Sequence, residues 1–202
     1  MKAKNIQRVA LIGGGVIGSG WATRCLAHGL SVVVTDPSPA AAEMVLKTVD
    51  SAWPILEEAG LGEKADRSKL EFAPDIETAV ADADFVQENV PEREDLKIAV
   101  HEEIGRHAKG DIVVASSSSG LLPSRLQSRC RRPERLVIGH PFAPVYLLPL
   151  VEVVGGEQTS LEFVRAAGAF YRKIGMRPLH VRKEVEAYIA DRLQESLYRE
   201  AL

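Results

Sequence analysis

The stretch Gly13-Gly14-Gly15-Val16-Ile17-Gly18 restricts this chain more than any other. It follows Arg8–Ile12, a short apolar run with β-branched residues that reads as a buried strand. Residues 16–28 then have helical spacing, and Gly29 is a stop signal. Val32-Val33-Val34-Thr35 reads as a second strand, and Asp36 stands at its end. The pattern G-x-G-x-x-G is weak alone. Set between a strand and a helix, with an acid after the next strand, it predicts a βαβ unit that binds a dinucleotide. Gly13 permits the tight turn, Gly15 lets backbone approach a pyrophosphate, and Gly18 lets the helix pack on the sheet. The helix start, from Gly14 through Val16 and Ile17, supplies unpaired N–H groups and positive potential for phosphates. A carboxylate at Asp36 would accept both ribose hydroxyls and repel a 2′-phosphate, which favours NAD over NADP. The competing account is a plain tight turn, with Asp36 capping a helix.

The rest of the chain alternates in the same way. Pro37-Ser38-Pro39 opens a helical pattern that runs to Gly60, and Pro54 should kink or divide it. Residues 61–69 read as a polar connection and 70–72 as a short strand. Asp75 can cap a short helix over 76–81. Strands are expected at 85–86, 112–115, 136–138 and 178–181, and helices at 93–107 and 161–174. This order predicts an α/β fold, a Rossmann-type doubly wound, mostly parallel sheet with flanking helices. Residues 184–202 have a strong helical pattern with Ile189, Leu193 and Leu197 on one side. It closes without a glycine, a proline or a polar tail. The expectation is an NAD-binding domain over 1–183 and, over 184–202, the start of a helical domain that is cut short.

Composition narrows the partners. With 202 residues, 46% of them hydrophobic, the chain can bury a sizeable core. A net charge of −3 gives no reason to expect nucleic acid or a membrane surface. Arg125, Arg129, Arg131, Arg132 and Arg135 form a basic run that reads as a solvated loop. The two cysteines, Cys25 and Cys130, read as free thiols in a reducing compartment. MKAKNIQRVALIGGG turns to glycine too soon for a signal peptide. No run approaches the ~18 apolar residues of a membrane span. A soluble, cytoplasmic protein is expected, and no metal site.

Two features suggest chemistry. Ser116-Ser117-Ser118-Ser119 follows a strand, at the carboxyl end where a parallel sheet binds ligands. GHPFAPVYLLPLVE, residues 139–152, is apolar between His140 and Glu152. Histidine suits proton transfer near neutrality. Its prolines suggest a turn that returns Glu152 to His140, where a carboxylate would orient the ring and favour the imidazolium. His28, His101, His107 and His180 read as structural.

With these residues joined to the glycine loop, the sequence resembles the 3-hydroxyacyl-CoA dehydrogenase family, over nearly the whole chain as that family's NAD-binding domain. The resemblance implies His140 as general base, Glu152 as its orienting partner and Ser119 as donor to the substrate oxygen. It implies Glu92 and Lys97, in VPEREDLK, on the nicotinamide-ribose side. QENVPEREDLK, GHPFAPVYLLPLVEVVGG and DRLQESLYREAL are most similar to its carnitine-oxidising members. Asp191 stands where acyl-CoA members have asparagine, and Phe142, Tyr146 and Tyr188 are candidate faces for a trimethylammonium group. Ala143 replaces a usual asparagine. The resemblance implies a small 3-hydroxy substrate, a helical C-terminal domain and a homodimer. A 3-hydroxyacyl-CoA or gulonate dehydrogenase is the near alternative, and a non-catalytic NAD-binding module the distant one.

Overall fold

The central strands are apolar on both sides, and the sheet they form is covered on both faces. The computed structural model describes residues 6–201; residues 1–5 and 202, the outer ends of the two expected domains, lie outside the described residues. Its strands are β1 (Arg8–Ile12), β2 (Ser31–Thr35), β3 (Leu70–Phe72), β4 (Phe85–Glu88), β5 (Val113–Ser116), β6 (Leu136–Pro141), β7 (Leu150–Gly155) and β8 (Arg177–Val181). They make one sheet in the order β3-β2-β1-β4-β5-β6-β7-β8. β1 to β6 are mutually parallel, β7 is antiparallel to β6, and β8 is parallel to β7. The helices are α1 (Val16–Ala27), α2 (Ala41–Glu58), α3 (Ile76–Val80), α4 (Glu94–His107), α5 (Pro123–Leu126), α6 (Leu161–Lys173) and α7 (Ala190–Ala201). This is the doubly wound, mostly parallel architecture expected from the sequence.

Strand alternation sorts the core into layers. Leu11, Val32, Val34 and Phe85 pack against Trp21 of α1, Val45 of α2 and Phe170 of α6. Ala10, Ile12, Val33 and Val86 face Val80 of α3 and Ile104 of α4. Leu136, Ile138, Val154 and Tyr188 form a third cluster with Leu126 of α5. From β1 the chain winds outward to β2 and β3, then returns to β4 on the other side. The strand order therefore reverses between β1 and β4, and a crevice opens at their carboxyl ends.

Several expectations are corrected. Of the two outcomes expected at Pro54, a kink or a division, division does not occur, since α2 continues from Ala41 to Glu58 through it. The proline is exposed, so the carbonyl left without a partner can bond water. The segment after His140 is not only a turn. β6 extends through His140 to Pro141, and the chain comes back as β7, which proline punctuation had hidden. Residues 184–189 are not helical. Ala187 and Tyr188 have φ of 58° and 44°, and α7 starts only at Ala190. Burial of Tyr188, at 0% exposure, overrides the helical pattern there. The basic run is not wholly solvated, since Arg135 is buried and donates to the Lys109 carbonyl.

Phe85 is fully buried and stacks on Phe170 with ring centroids 4.0 Å apart. Phe85→Ala should therefore lower the unfolding free energy by about 3–5 kcal/mol. A denaturant titration reads this, and a loss under about 1 kcal/mol would show that the pair is not a core contact.

Candidate active site

A cleft of about 810 Å³ runs over the crevice between β1 and β4. Gly13, Gly15, Val16, Ile17 and Asp36 line one end, and Ser117, Ser119 and His140 the other, with Glu92 and Lys97 also in the wall. Gly14 and Gly18 do not line it. Gly14 packs on Ala41 and Val45, and a Cβ on Gly18 would sit 2.0 Å from the Gly13 carbonyl oxygen. Gly13 has φ of +101°, and a Cβ there would meet the Asn89 backbone at 2.8 Å. A Cβ on Gly15 would meet nothing within 4 Å, so the missing side chain enlarges open space at the start of α1. That opening, next to free helical N–H groups, fits a pyrophosphate.

Asp36 does two things at once. Oδ2 accepts from the Gly14 N–H at 2.8 Å, which ties β2 to the glycine loop. Oδ1 accepts from the Ser38 N–H at 2.8 Å, a local turn bond and not the helix cap of the competing account, since α2 begins at Ala41 without a side-chain cap. A carboxylate oxygen has a second lone pair, and Asp36 still borders the cleft, so ribose hydroxyls can share it.

His140 and Glu152 are directly opposed residues of β6 and β7. Opposed residues project from one face of the sheet, which is why the rings and carboxylate meet. His140 Nδ1 lies 3.0 Å from Glu152 Oε2, and both side chains are buried. Glu152 Oε1 accepts the N–H groups of Ile189 and Ala190, each at 3.0 Å. Burial pushes the Glu152 pKa up, but the bonds from His140, Ala190 and Ile189 outweigh it and bring the carboxyl below its ordinary range. An ionised carboxylate only accepts, so the Nδ1 that faces it is the donor, and in the tautomer protonated there Nε2 is the acceptor. Asp191 Oδ2 lies 3.9 Å from Nε2. Phe142 and Tyr188 flank the ring at centroid distances of 4.8 and 5.7 Å. Tyr188 is wholly buried and donates to the Leu121 carbonyl, so it packs the ring and offers no open face to a cation. Neither Tyr146 nor Phe142 nor Asp191 lines this cleft; Phe142 and Asp191 lie against the His140 ring at its end.

Glu92 organises the serine loop. Its Oε1 accepts the N–H groups of Ser119 and Gly120 at 3.0 Å and the Ser118 hydroxyl. Ser119 Oγ has no partner among the described residues and borders the cleft.

Residues 8–185 match the family model described as 3-hydroxyacyl-CoA dehydrogenase, NAD binding domain. The chain belongs to the 3-hydroxyacyl-CoA dehydrogenase family. It is 58% identical over 197 residues to an L-carnitine dehydrogenase of Burkholderia mallei, covering 98% of this chain and 61% of that protein. An L-carnitine dehydrogenase of a Pseudomonas species is 54% identical over 198 residues, covering 98% and 62%. The chain thus spans about three fifths of the length of these relatives. Among solved structures, an NAD+-dependent dismutase, 5-formyl-3-hydroxy-2-methylpyridine 4-carboxylic acid 5-dehydrogenase, superposes with a TM-score of 0.91 at 36% identity, over 97% of this chain and 64% of that one.

Two arrangements in this NAD-binding domain were not anticipated from sequence. Behind the cleft, Lys97 Nζ lies 2.7 Å from Glu88 Oε1 and 3.0 Å from the Val90 carbonyl, with Glu92 at 3.5 Å. Glu88 Oε2 faces His101 Nε2 at 3.2 Å and accepts the Ser116 hydroxyl. Lys97 is thus a buried ion-pair residue as well as part of the wall. Below His140, Gln87 donates to Ser117 Oγ at 2.8 Å and to the Gly139 carbonyl at 3.2 Å, and accepts from Tyr171 at 2.7 Å. Ser117 Oγ also accepts from Trp21 Nε1 at 3.0 Å and donates to Asn89 at 2.7 Å. A glutamine within a short apolar strand was the only signal in the sequence.

Burial raises the Glu88 pKa, but His101 and Lys97 more than offset it and bring the carboxyl to about 2 from its ordinary 4.5. Its folded-state value is depressed, so its stabilisation is complete above pH 4.5 and is lost as pH falls toward 2. Unfolding free energy should drop across that window. Glu88→Gln, which strands the buried Lys97, should cost about 3–5 kcal/mol at neutral pH. Denaturation series at several pH values check both, and a Glu88→Gln protein with wild-type stability at neutral pH contradicts the pairing.

Proposed function

We propose that this chain carries the cofactor site and the proton acceptor of an NAD-dependent dehydrogenase that oxidises the 3-hydroxyl of L-carnitine to 3-dehydrocarnitine. The observation that carries the reading is His140, held at Nδ1 by Glu152 at 3.0 Å, at the far end of the cleft that begins on the glycine loop. Gly13, Gly15, Val16, Ile17 and Asp36 hold NAD, with Glu92 and Lys97 on its nicotinamide-ribose side. NAD supplies the hydride acceptor when bound.

The chain's own residues move the proton. His140 Nε2 takes it from the substrate hydroxyl as the carbonyl forms. Glu152, already ionised, keeps the ring in the productive tautomer and stabilises the imidazolium. Ser119 Oγ donates to the substrate oxygen as negative charge develops there. Asp191, a half-exposed carboxylate beside Nε2, and the face of Phe142 suit a trimethylammonium group. The names of the relatives point to the same substrate.

The same reading takes 1–183 as the NAD-binding domain and 184–202 as the start of a helical domain in the full chain. α7 supports this with an apolar face left open at Leu193 and Leu197, 62% and 71% exposed. That domain would complete the substrate wall and a homodimer interface. No helix of the described residues is long and apolar enough to cross a membrane, and a cytoplasmic setting fits.

In the full chain, His140→Ala should lower kcat by about 10²–10⁴-fold and leave NAD affinity nearly unchanged. Turnover near wild type in that variant would remove His140 as the base. Following NADH absorbance with carnitine, a 3-hydroxyacyl-CoA and gulonate tests the substrate, and a preference for the thioester would sink carnitine.

A further inference from the structure

Arg24 is the costliest residue in α1 to bury. It is 7% exposed, and no carboxylate pairs with it among the described residues. A buried guanidinium without a counter-ion has to be satisfied by neutral acceptors. Three backbone carbonyls do this. Arg24 Nε donates to Val145 at 2.8 Å, Nη2 to Tyr146 at 3.1 Å and Nη1 to Ile174 at 3.1 Å. Two of the three lie in the connection between β6 and β7, the segment that joins His140 to Glu152.

A second contact shows that the connection sits on α1. Gly20 is one turn before Arg24, so the two share a face of the helix. A Cβ on Gly20 would come within 2.9 Å of Val145 Cβ. Val145 is 1% exposed. The helix therefore has a notch that receives residue 145 and, one turn further on, a fork that grips the carbonyls of 145 and 146. Few other polar contacts hold this stretch. Leu147 and Leu148 donate back to the Pro144 carbonyl, each at 3.0 Å, which shapes the turn and does not attach it to the body.

α1 is also the helix whose first turn forms the glycine loop. Phe142, in the same connection, packs on the His140 ring. We infer that Arg24 is a positioning residue: it locks the β6–β7 connection to the cofactor helix, and so fixes Phe142, and the His140 ring it packs on, relative to NAD. The inference rests on the dehydrogenase reading for its catalytic consequence, but its structural part does not. The fork geometry explains the residue type. Arginine reaches three carbonyls in different directions with a rigid planar group, whereas lysine offers one compact ammonium.

Arg24→Met and Arg24→Lys in the full chain test this, with hydrogen exchange, NAD titration and steady-state kinetics. In Arg24→Met the amides of 145–148 should exchange about tenfold faster while those of β1 and the start of α1 keep their protection. NAD affinity should stay within about twofold, while kcat/KM for the hydroxy substrate falls about 10- to 100-fold as Phe142 and the His140 ring lose their placement. Arg24→Lys should recover part of both losses. If exchange rises throughout the sheet and NAD affinity falls together with turnover, Arg24 is a general support and the inference fails. It fails equally if exchange at 145–148 and kcat/KM are both unchanged. Should Arg24→Met not fold, the lysine variant decides alone, by whether its losses are confined to the connection and to kcat/KM. Absence of NAD-coupled oxidation in the wild type would instead defeat the dehydrogenase reading, and the exchange pattern would still settle whether Arg24 holds the connection.

Discussion

Glu152 is a carboxylate with no solvent exposure, and the carboxyl-terminal half of the chain is arranged to satisfy it. A buried charge without partners would cost several kcal/mol. Oε2 takes His140, which requires β7 to run antiparallel to β6 in the register that opposes these two residues. Oε1 takes two successive N–H groups at the start of α7, which requires the chain to turn sharply just before that helix. Ala187 and Tyr188 make that turn at positive φ, a strained choice for residues with side chains. Tyr188 repays the strain by filling the third core cluster beside His140. The strand register, the turn and the helix start thus each supply partners to one ionised group.

The other end of the site depends on polar groups buried in the parallel sheet. Gln87 bridges Ser117, Gly139 and Tyr171, and so ties β4 to the serine loop, to β6 and to α6. Glu88, the next residue, points to the opposite face and pairs with Lys97 and His101 of α4. Alternation along one strand sends one polar side chain to each face. The loops at the carboxyl ends therefore rest on hydrogen bonds that leave few alternative placements, as a site that must hold its geometry requires.

Legibility differed between these parts for physical reasons. The βαβ unit was plain because its signals are local: a glycine turn, a helix period and an acid after a strand. The short capped helix at Asp75 was readable on the same ground, and the Asp75 side chain does accept the Thr78 N–H. β7 was not readable. Pro141, Pro144 and Pro149 signal interruption, and nothing local shows that the chain resumes pairing beyond them. The helix expected from 184 failed because its first residues keep the right period while their side chains are held elsewhere. Ser124 bonds the Glu184 carboxylate, and Tyr188 goes into the core. The pairing of His140 with Glu152 was anticipated, but as a turn contact; the structure makes it a cross-strand pair.

By itself, the order of residues determined a dinucleotide-type sheet, the position of its glycine loop, the acid after β2, and the two residue types suited to proton transfer. All of these are properties of short segments, set by steric freedom at glycine, by strand and helix periodicity and by intrinsic side-chain chemistry. Only the tertiary structure decided which nitrogen of His140 faces Glu152, that Glu92 braces the serine loop, that Lys97 is already paired, and that Arg24 grips a segment more than a hundred residues away. Those depend on burial, which turns an unsatisfied polar group into a penalty and so selects the one packing in which each has a partner.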